Sequence, residues 1–244
     1  YKKLQGKWLD ELYRDLRSRG VAILSSMIIG FPYQDRLKIM DEFRQLTELG
    51  PSLWQILIYF AFPGTPLYTK VLEENRYLPA YQNHPDYRKF DGFSMHFKHA
   101  HFSPEELEAL QKELYRKCFE LLGPSMVRVL RVWFDGYQNM KDSPRPLLRD
   151  RATRMRRYVR DAVPGIYPAI CFGPNRKRRA EARQFLEEII QELGPLSVKE
   201  RLQCWGTIPL SAWTWMTEKF GLFQQPRLLR IEHRFGPQHG TSVG

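Results

Sequence analysis

The chain has 244 residues and a mass of 29.0 kDa, with 43% hydrophobic and 27% charged residues, enough for one substantial core or two small ones and too apolar for disorder. Its longest apolar stretches, 21–31 and 56–62, fall short of the roughly 20 residues of a membrane span. No charged-then-apolar leader opens it, three scattered cysteines build no disulfide framework, and 38 Lys and Arg against 27 Asp and Glu leave a net charge of +11 and a pI near 9.6. These features argue against a secreted or membrane-spanning protein and for a cytoplasmic one. The basic excess suits an anionic partner, or else a solvated face.

Residue 1 is Tyr rather than Met, and an amphipathic helix over 3–19 is already running, with Leu4, Trp8, Leu12 and Leu16 on its apolar stripe and a stop at Gly20. The chain therefore reads as a piece of a longer protein. Residues 21–29 are nearly all apolar, the pattern of a strand buried on both faces in a parallel sheet. Ile39, Met40, Phe43 and Leu46 recur at helical spacing over 35–49, and Gly50-Pro51 ends that run. A second apolar strand over 53–62 follows, then Thr65 as N-cap with Pro66 in the first helical turn. This order makes a βαβ unit to about residue 76. Two parallel strands leave both edges open, so the unit needs further strands, expected before Tyr1.

Residues 76–101 lack a clean period and read as loops with one short strand at 93–97. Ser103-Pro-Glu-Glu106 is a capping box opening a helix with Leu107, Leu110, Leu114, Cys118 and Leu121 on one stripe. Gly123-Pro124 breaks it, and Met126, Leu130, Trp133, Phe134 and Tyr137 mark the next helix. A third helix near 147–162 turns Leu148, Ala152, Met155, Val159 and Ala162 inward and Arg149, Arg151, Arg154, Arg156, Arg157 and Arg160 outward. A fourth spans about 178–193, two short helices are expected at 198–205 and 210–220, and the residues from Gly236 read as a frayed tail. The tryptophans at 133, 205, 213 and 215 read as core of this helical region.

In parallel α/β folds ligands bind beyond the carboxyl ends of the strands, which selects 26–32 and 60–65. Gly30 would let a ligand approach the backbone, and Ile28 or Phe60 could back a flat ring; the alternative is a packed core followed by two ordinary turns. His96, His99 and His101 include a usable metal-ligand spacing, but no third ligand is evident, which favours a solvent-facing or substrate-contacting cluster. The Arg face of 147–162 and the run Asn175-Arg-Lys-Arg-Arg179 suit an anionic membrane surface or an RNA backbone; Tyr158 is the sole aromatic on that face for base recognition.

Two stretches carry a more specific likeness. Gly20-Val-Ala-Ile-Leu-Ser-Ser-Met-Ile-Ile-Gly-Phe-Pro32 and Tyr59-Phe-Ala-Phe-Pro-Gly-Thr-Pro-Leu-Tyr68 resemble the last two βα units of a radical SAM enzyme's partial (β/α) barrel. Tyr87-Arg-Lys-Phe-Asp-Gly-Phe-Ser-Met-His-Phe97 and Phe102-Ser-Pro-Glu-Glu-Leu107 are similar to the segment after the barrel in members with an N-terminal cobalamin-binding domain. The likeness covers about 3–140, and 141–244 resembles no family.

The resemblance implies an α/β fold followed by a mainly helical region: barrel portion 1–76, post-barrel segment 77–140, basic helical region 141–244. It implies a 4Fe-4S cluster that reduces S-adenosylmethionine to release a 5′-deoxyadenosyl radical, with cobalamin-dependent methyl transfer as one outcome. The family's C-x-x-x-C-x-x-C cluster loop is missing from this chain, so the cluster ligands are expected in a preceding portion of the same protein. The adenosine end of the cofactor site carries over to Ser26, Ile28 and Gly30 on one strand and Phe60, Ala61 and Phe62 after the other. No catalytic residue and no metal ligand is assigned; the substrate would be a small molecule or lipid-like. The alternative reading is a basic helical module that docks on RNA or an anionic membrane.

Overall fold

A computed structural model describes residues 7–82 and 90–220. Helix α1 (Lys7–Ser18) ends as expected at Gly20, whose φ of +72° few other residues adopt, and Val21 N–H closes the turn on the Leu16 carbonyl at 2.9 Å. Strand β1 (Leu24–Ile29), helix α2 (Arg36–Glu48) and strand β2 (Leu53–Ile58) then form the βαβ unit, the strands parallel with Leu24 opposite Leu53 and Ile29 opposite Ile58. Asp35 caps α2 by accepting from Lys38 N–H at 2.8 Å. Thr65 and Pro66 open α3 (Pro66–Glu73) as their types dictate, and a single turn, α4 (Pro79–Gln82), follows.

Neither strand is buried on both faces. Ser25, Met27 and Ile29 of β1 are buried while Leu24, Ser26 and Ile28 are exposed. On β2, Ile56 and Ile58 are fully buried on the same side. One face is covered because α2 and α5 (Pro104–Leu122) lie against it, placing Ile39, Phe43, Leu107, Leu110 and Leu114 over the strands. The other face, with Leu24, Ser26 and Ile28 beside Leu53, Gln55 and Leu57, has no covering helix among the described residues; Leu57 is half-buried against Gly92. The apolar run of 21–29 thus signals two different environments. β2 also stops at Ile58, short of the expected residue 62, with one more ladder bond from Tyr59 N–H to the Ile29 carbonyl at 2.7 Å.

The two sheet edges differ. In a parallel pair alternate residues point their amide and carbonyl outward. On β2 three of those groups are satisfied: Ile56 N–H donates to Tyr115 Oη at 2.8 Å, Gln111 Nε2 donates to the Ile56 carbonyl at 2.6 Å, and Ile58 N–H donates to the Gly92 carbonyl at 2.7 Å. On β1 the outward groups of Leu24, Ser26 and Ile28 meet no protein partner among the described residues. Beside this edge, α1 and α2 frame a groove of about 760 Å³ lined by Leu9, Asp10, Met27, Ile28, Phe31 and Glu42.

Residues 77–140 are not separate from this unit, since Met95, Leu107, Leu110, Leu114 and Cys118 share one core with Met27, Ile29, Ile56 and Ile58. The Ser103 capping box forms, with Glu106 N–H on Ser103 Oγ at 3.2 Å and Ser103 N–H on Glu106 at 2.8 Å. Leu122 rather than Leu121 packs inward at the end of α5, Leu121 being half exposed. The expected strand at 93–97 reduces to one antiparallel bridge, Tyr77 with Phe97.

The second core belongs to α6 (Ser125–Met140), α7 (Pro146–Ala162), α8 (Ile166–Phe172), α9 (Arg176–Leu193) and α10 (Val198–Lys219). It gathers Leu130, Phe134, Val159, Ile166, Phe185 and Ile189, with Phe134 edge-on to Phe185 at 5.7 Å. Asn175 caps α9 by accepting from Arg178 N–H at 2.9 Å. α10 is one helix with Pro209 inside it, where two had been expected. The sequence pattern also missed α8, a short helix behind a 3₁₀ turn at Val163–Gly165. The chain ends expected to be helix and tail, 1–6 and 221–244, lie outside the described residues, as does 83–89, which includes part of the Tyr87–Phe97 likeness.

Because the strands share their core with α5, residues 1–76 expressed alone are expected to be insoluble or molten, without a cooperative thermal transition. The chain 1–140 restores Met95, Leu107, Leu110 and Leu114 and should regain cooperativity; circular dichroism melting of both pieces checks it.

Candidate functional site

The carboxyl ends of both strands meet at an aromatic cluster. Phe31 lies 4.4 Å from Tyr59 and 5.5 Å from Tyr33, centroid to centroid, and Tyr59 stands edge-on to Phe97 at 6.1 Å. Phe60 contacts Phe62 at 5.9 Å and Phe90 at 6.0 Å. Tyr59 N–H donates to the Ile29 carbonyl at 2.7 Å, extending the parallel ladder one residue beyond β2.

The six residues selected from the sequence divide into two groups. Ser26 and Ile28 share the open sheet face, and Phe62 is 56% exposed, so all three are accessible to a ligand. Phe60 is half-buried. Ala61 is fully buried, its carbonyl accepting from the Tyr77 hydroxyl at 3.3 Å. Gly30 is buried with φ +86°, and a Cβ there would meet Leu107 Cδ2 at 2.7 Å. The space of its missing side chain is taken by Leu107 of α5. A hydroxyl, an aliphatic side chain and an aromatic ring thus remain accessible at the strand ends.

The histidines do not form one cluster. His96 is fully buried among Tyr81, Phe90 and Phe60, contrary to a solvent-facing group. His99 Nδ1 accepts from His101 N–H at 3.0 Å, which leaves Nε2 as the donor toward the Phe31 carbonyl, also at 3.0 Å. Both ring nitrogens are engaged, so His99 pins the strand-end loop in place. Among the described residues no group of three His, Cys, Asp or Glu could hold a metal.

The three cysteines sit on three helices. Cys118 and Cys204 are buried in separate cores, and burial pushes both thiols up from their ordinary pKa; Cys171 is exposed. They do not fit a 4Fe-4S cluster. Anaerobic reconstitution of the 244-residue chain with iron and sulfide is expected to yield no stoichiometric cluster. A cluster spectrum abolished by replacing all three cysteines with Ser would contradict this.

Two features of the basic surface differ from expectation. Arg149, Arg151, Arg154, Arg156 and Arg157 point outward from α7, but Arg160 turns inward to Glu200 at 2.5 Å and to the Gly194 carbonyl at 2.7 Å. At the amino ends of the strands, a cavity of about 390 Å³ is bordered by Arg17, Arg128, Arg131 and Arg178, brought from α1, α6 and α9. Burial lowers the Arg128 pKa, and its guanidinium donates to the carbonyls of Pro51 and Ser52, both at 3.1 Å. Arg17 donates to the Leu49 carbonyl at 2.7 Å, while Arg131 and Arg178 pair with Glu188 and Glu181. Arg128, on the Pro51 and Ser52 carbonyls, and Arg178, on the Leu121 carbonyl, fasten the two cores together. No single-sequence pattern marks these bonds, because their acceptors are distant backbone carbonyls.

Comparison with family models, curated protein sequences and solved structures found no match.

Proposed function

We propose that this chain is the C-terminal part of a radical SAM enzyme, with Ser26, Ile28 and the Phe60–Phe62 segment facing the adenosine of S-adenosylmethionine. The observation that carries the reading is the one-sided sheet. β1 keeps a bare hydrogen-bonding edge and an uncovered face, whereas the opposite edge is closed by Gln111, Tyr115 and Gly92. The last two strands of a partial barrel would be built this way, the bare edge taking the preceding strand and the open face turning to the barrel interior. Helices α2 and α5 then belong to the outer layer.

A 4Fe-4S cluster supplies electrons to S-adenosylmethionine in such enzymes, and its ligands would come from a preceding portion of the protein. Cobalamin would come from that portion too. This chain's part is narrower. Ser26 offers a hydroxyl, Ile28 and Phe62 offer apolar surface, and the strand ends are held rigid by His99 on the Phe31 carbonyl. The reacting substrate would lie over the same open face, screened from water by the aromatic residues at the strand ends.

The test is the coding sequence 5′ of the Tyr1 codon. It is expected to encode further βα units with a C-x-x-x-C-x-x-C loop, and an open reading frame without them would overturn the proposal. A second reading, a basic module that docks on RNA, is favoured by one observation, the five outward arginines of α7. It predicts salt-dependent RNA retention that Arg156→Ala with Arg157→Ala weakens, with no effect of Ser26 substitution.

A further inference from the structure

We propose that the outward face of α10 is a docking surface for an anionic lipid bilayer, on which the helix lies flat. This goes beyond the cofactor reading and is independent of it.

The argument starts from spacing. Val198, Leu202, Trp205, Trp213, Met216 and Phe220, with Pro209 between, recur at steps of three and four along a helix of about 33 Å. At that spacing they share one face, and it is the solvent face: Leu202 is 69% exposed, Trp205 72% and Phe220 66%. The side facing the protein is mixed: it holds buried Cys204 and Thr217, Thr207 bonded to the Pro164 carbonyl at 3.2 Å, Ser211, Glu200, and Trp215 against Phe172 of α8. Ordinary surface helices of a globular protein have the reverse pattern, and an apolar stripe this long marks an interaction site.

The charges say what covers it. Lys199 flanks the stripe on one side, and Arg201 and Lys219 flank it on the other, all three exposed. Glu200, in the first turn of the helix, falls on the far side of the wheel, where Arg160 and Ser197 bind it. The Arg160–Glu200 pair also ties the amino end of α10 to α7, one turn from exposed Arg156 and Arg157. An apolar face rich in Trp and rimmed by Lys and Arg is what an interfacial helix presents to anionic headgroups. A second copy of the chain fits worse. Two such stripes packed together, parallel or antiparallel, would align the basic rims of Lys199, Arg201 and Lys219, and among the described side chains of α10 the carboxylate of Glu200 is turned away and already bound by Arg160. The helix needs no folding step on docking, because its inner face is already fixed on α8 and the 3₁₀ turn, with Trp215 stacked on Phe172 at 6.4 Å. It lies on the bilayer without spanning it, no helix among the described residues being long and apolar enough to cross.

The experiment is co-sedimentation of the 244-residue chain with phosphatidylcholine vesicles, with and without about one-third phosphatidylserine. Binding is expected to be at least about tenfold tighter on the anionic vesicles, to weaken with salt, and to shift tryptophan emission to the blue. The pair Trp205→Ser and Trp213→Ser should lose about tenfold in affinity with an unchanged thermal midpoint, since both rings are already exposed. The pair Lys199→Ser and Arg201→Ser should lose the preference for phosphatidylserine while keeping weak binding. No binding to either vesicle would overturn the proposal. So would equal binding to both, or a dimer in solution that Trp205→Ser with Trp213→Ser dissociates.

Discussion

Replacing buried Gly136 with Val is expected to cost about 3 kcal/mol or more of folding stability. A Cβ at Gly136 would stand 2.4 Å from Gly20 Cα and 2.6 Å from Gly20 N. Both are backbone atoms, so no side chain can rotate away. Gly20 itself cannot give ground, because its φ of +72° ends α1 and its own missing side chain faces Met155. This glycine-on-glycine contact is where α1 crosses α6, and Asn139 Nδ2 reinforces it by donating to the Ser18 carbonyl at 3.0 Å. The change should therefore loosen the joint between the two cores and split a single unfolding transition into two. Denaturant titration followed by circular dichroism and tryptophan emission checks both effects. Gly206→Ala is the control with opposite sign: nothing lies within 4 Å of its Cβ position inside α10, so it should gain about 0.5–1 kcal/mol.

What the sequence made legible was local. Gly20, Asp35, Thr65-Pro66, Ser103 with Glu106 and Gly123-Pro124 mark helix ends where the structure has them, because caps and breakers act within a few residues. What stayed hidden depends on partners far along the chain. The run 21–29 reads as nearly all apolar, yet only one face is covered, since coverage is decided by where α2 and α5 pack. The tryptophans of α10 were expected inside and lie outside, because an apolar stripe does not say which way a helix rolls. Two short helices were expected at 198–205 and 210–220, but one helix, anchored at Cys204, Thr207 and Thr217, runs through Pro209 and tolerates its missing amide. Gln111 and Tyr115 look like ordinary helix residues until β2 presents its edge to them. At the candidate site Ser26, Ile28 and Phe62 were legible as strand-end groups, whereas the use of Gly30 by Leu107 was not.

Gly30→Val is expected to lower stability by about 2–4 kcal/mol, and to do so whether or not S-adenosylmethionine is present. Two costs add. Valine must adopt φ +86°, which its branched Cβ opposes, and that Cβ must displace Leu107 Cδ2 from 2.7 Å in a core where Leu107 is only 1% exposed. Leu107 touches the buried face of the strands, so the strain spreads to Ile29 and Ile58. Gly64→Ala separates the two costs: its φ is +85° but nothing lies within 4 Å, so only the conformational part of about 1 kcal/mol applies. Ser26→Val provides the contrast that bears on the cofactor. Position 26 is exposed on the open face and Val suits a strand, so the thermal midpoint should hold while the hydroxyl is lost. In the complete enzyme, calorimetric titration should then show weaker S-adenosylmethionine binding for Ser26→Val than for the parent. If Ser26→Val binds like the parent while Gly30→Val merely melts early, the open face is not the adenosine surface, and these strand ends serve as packing alone.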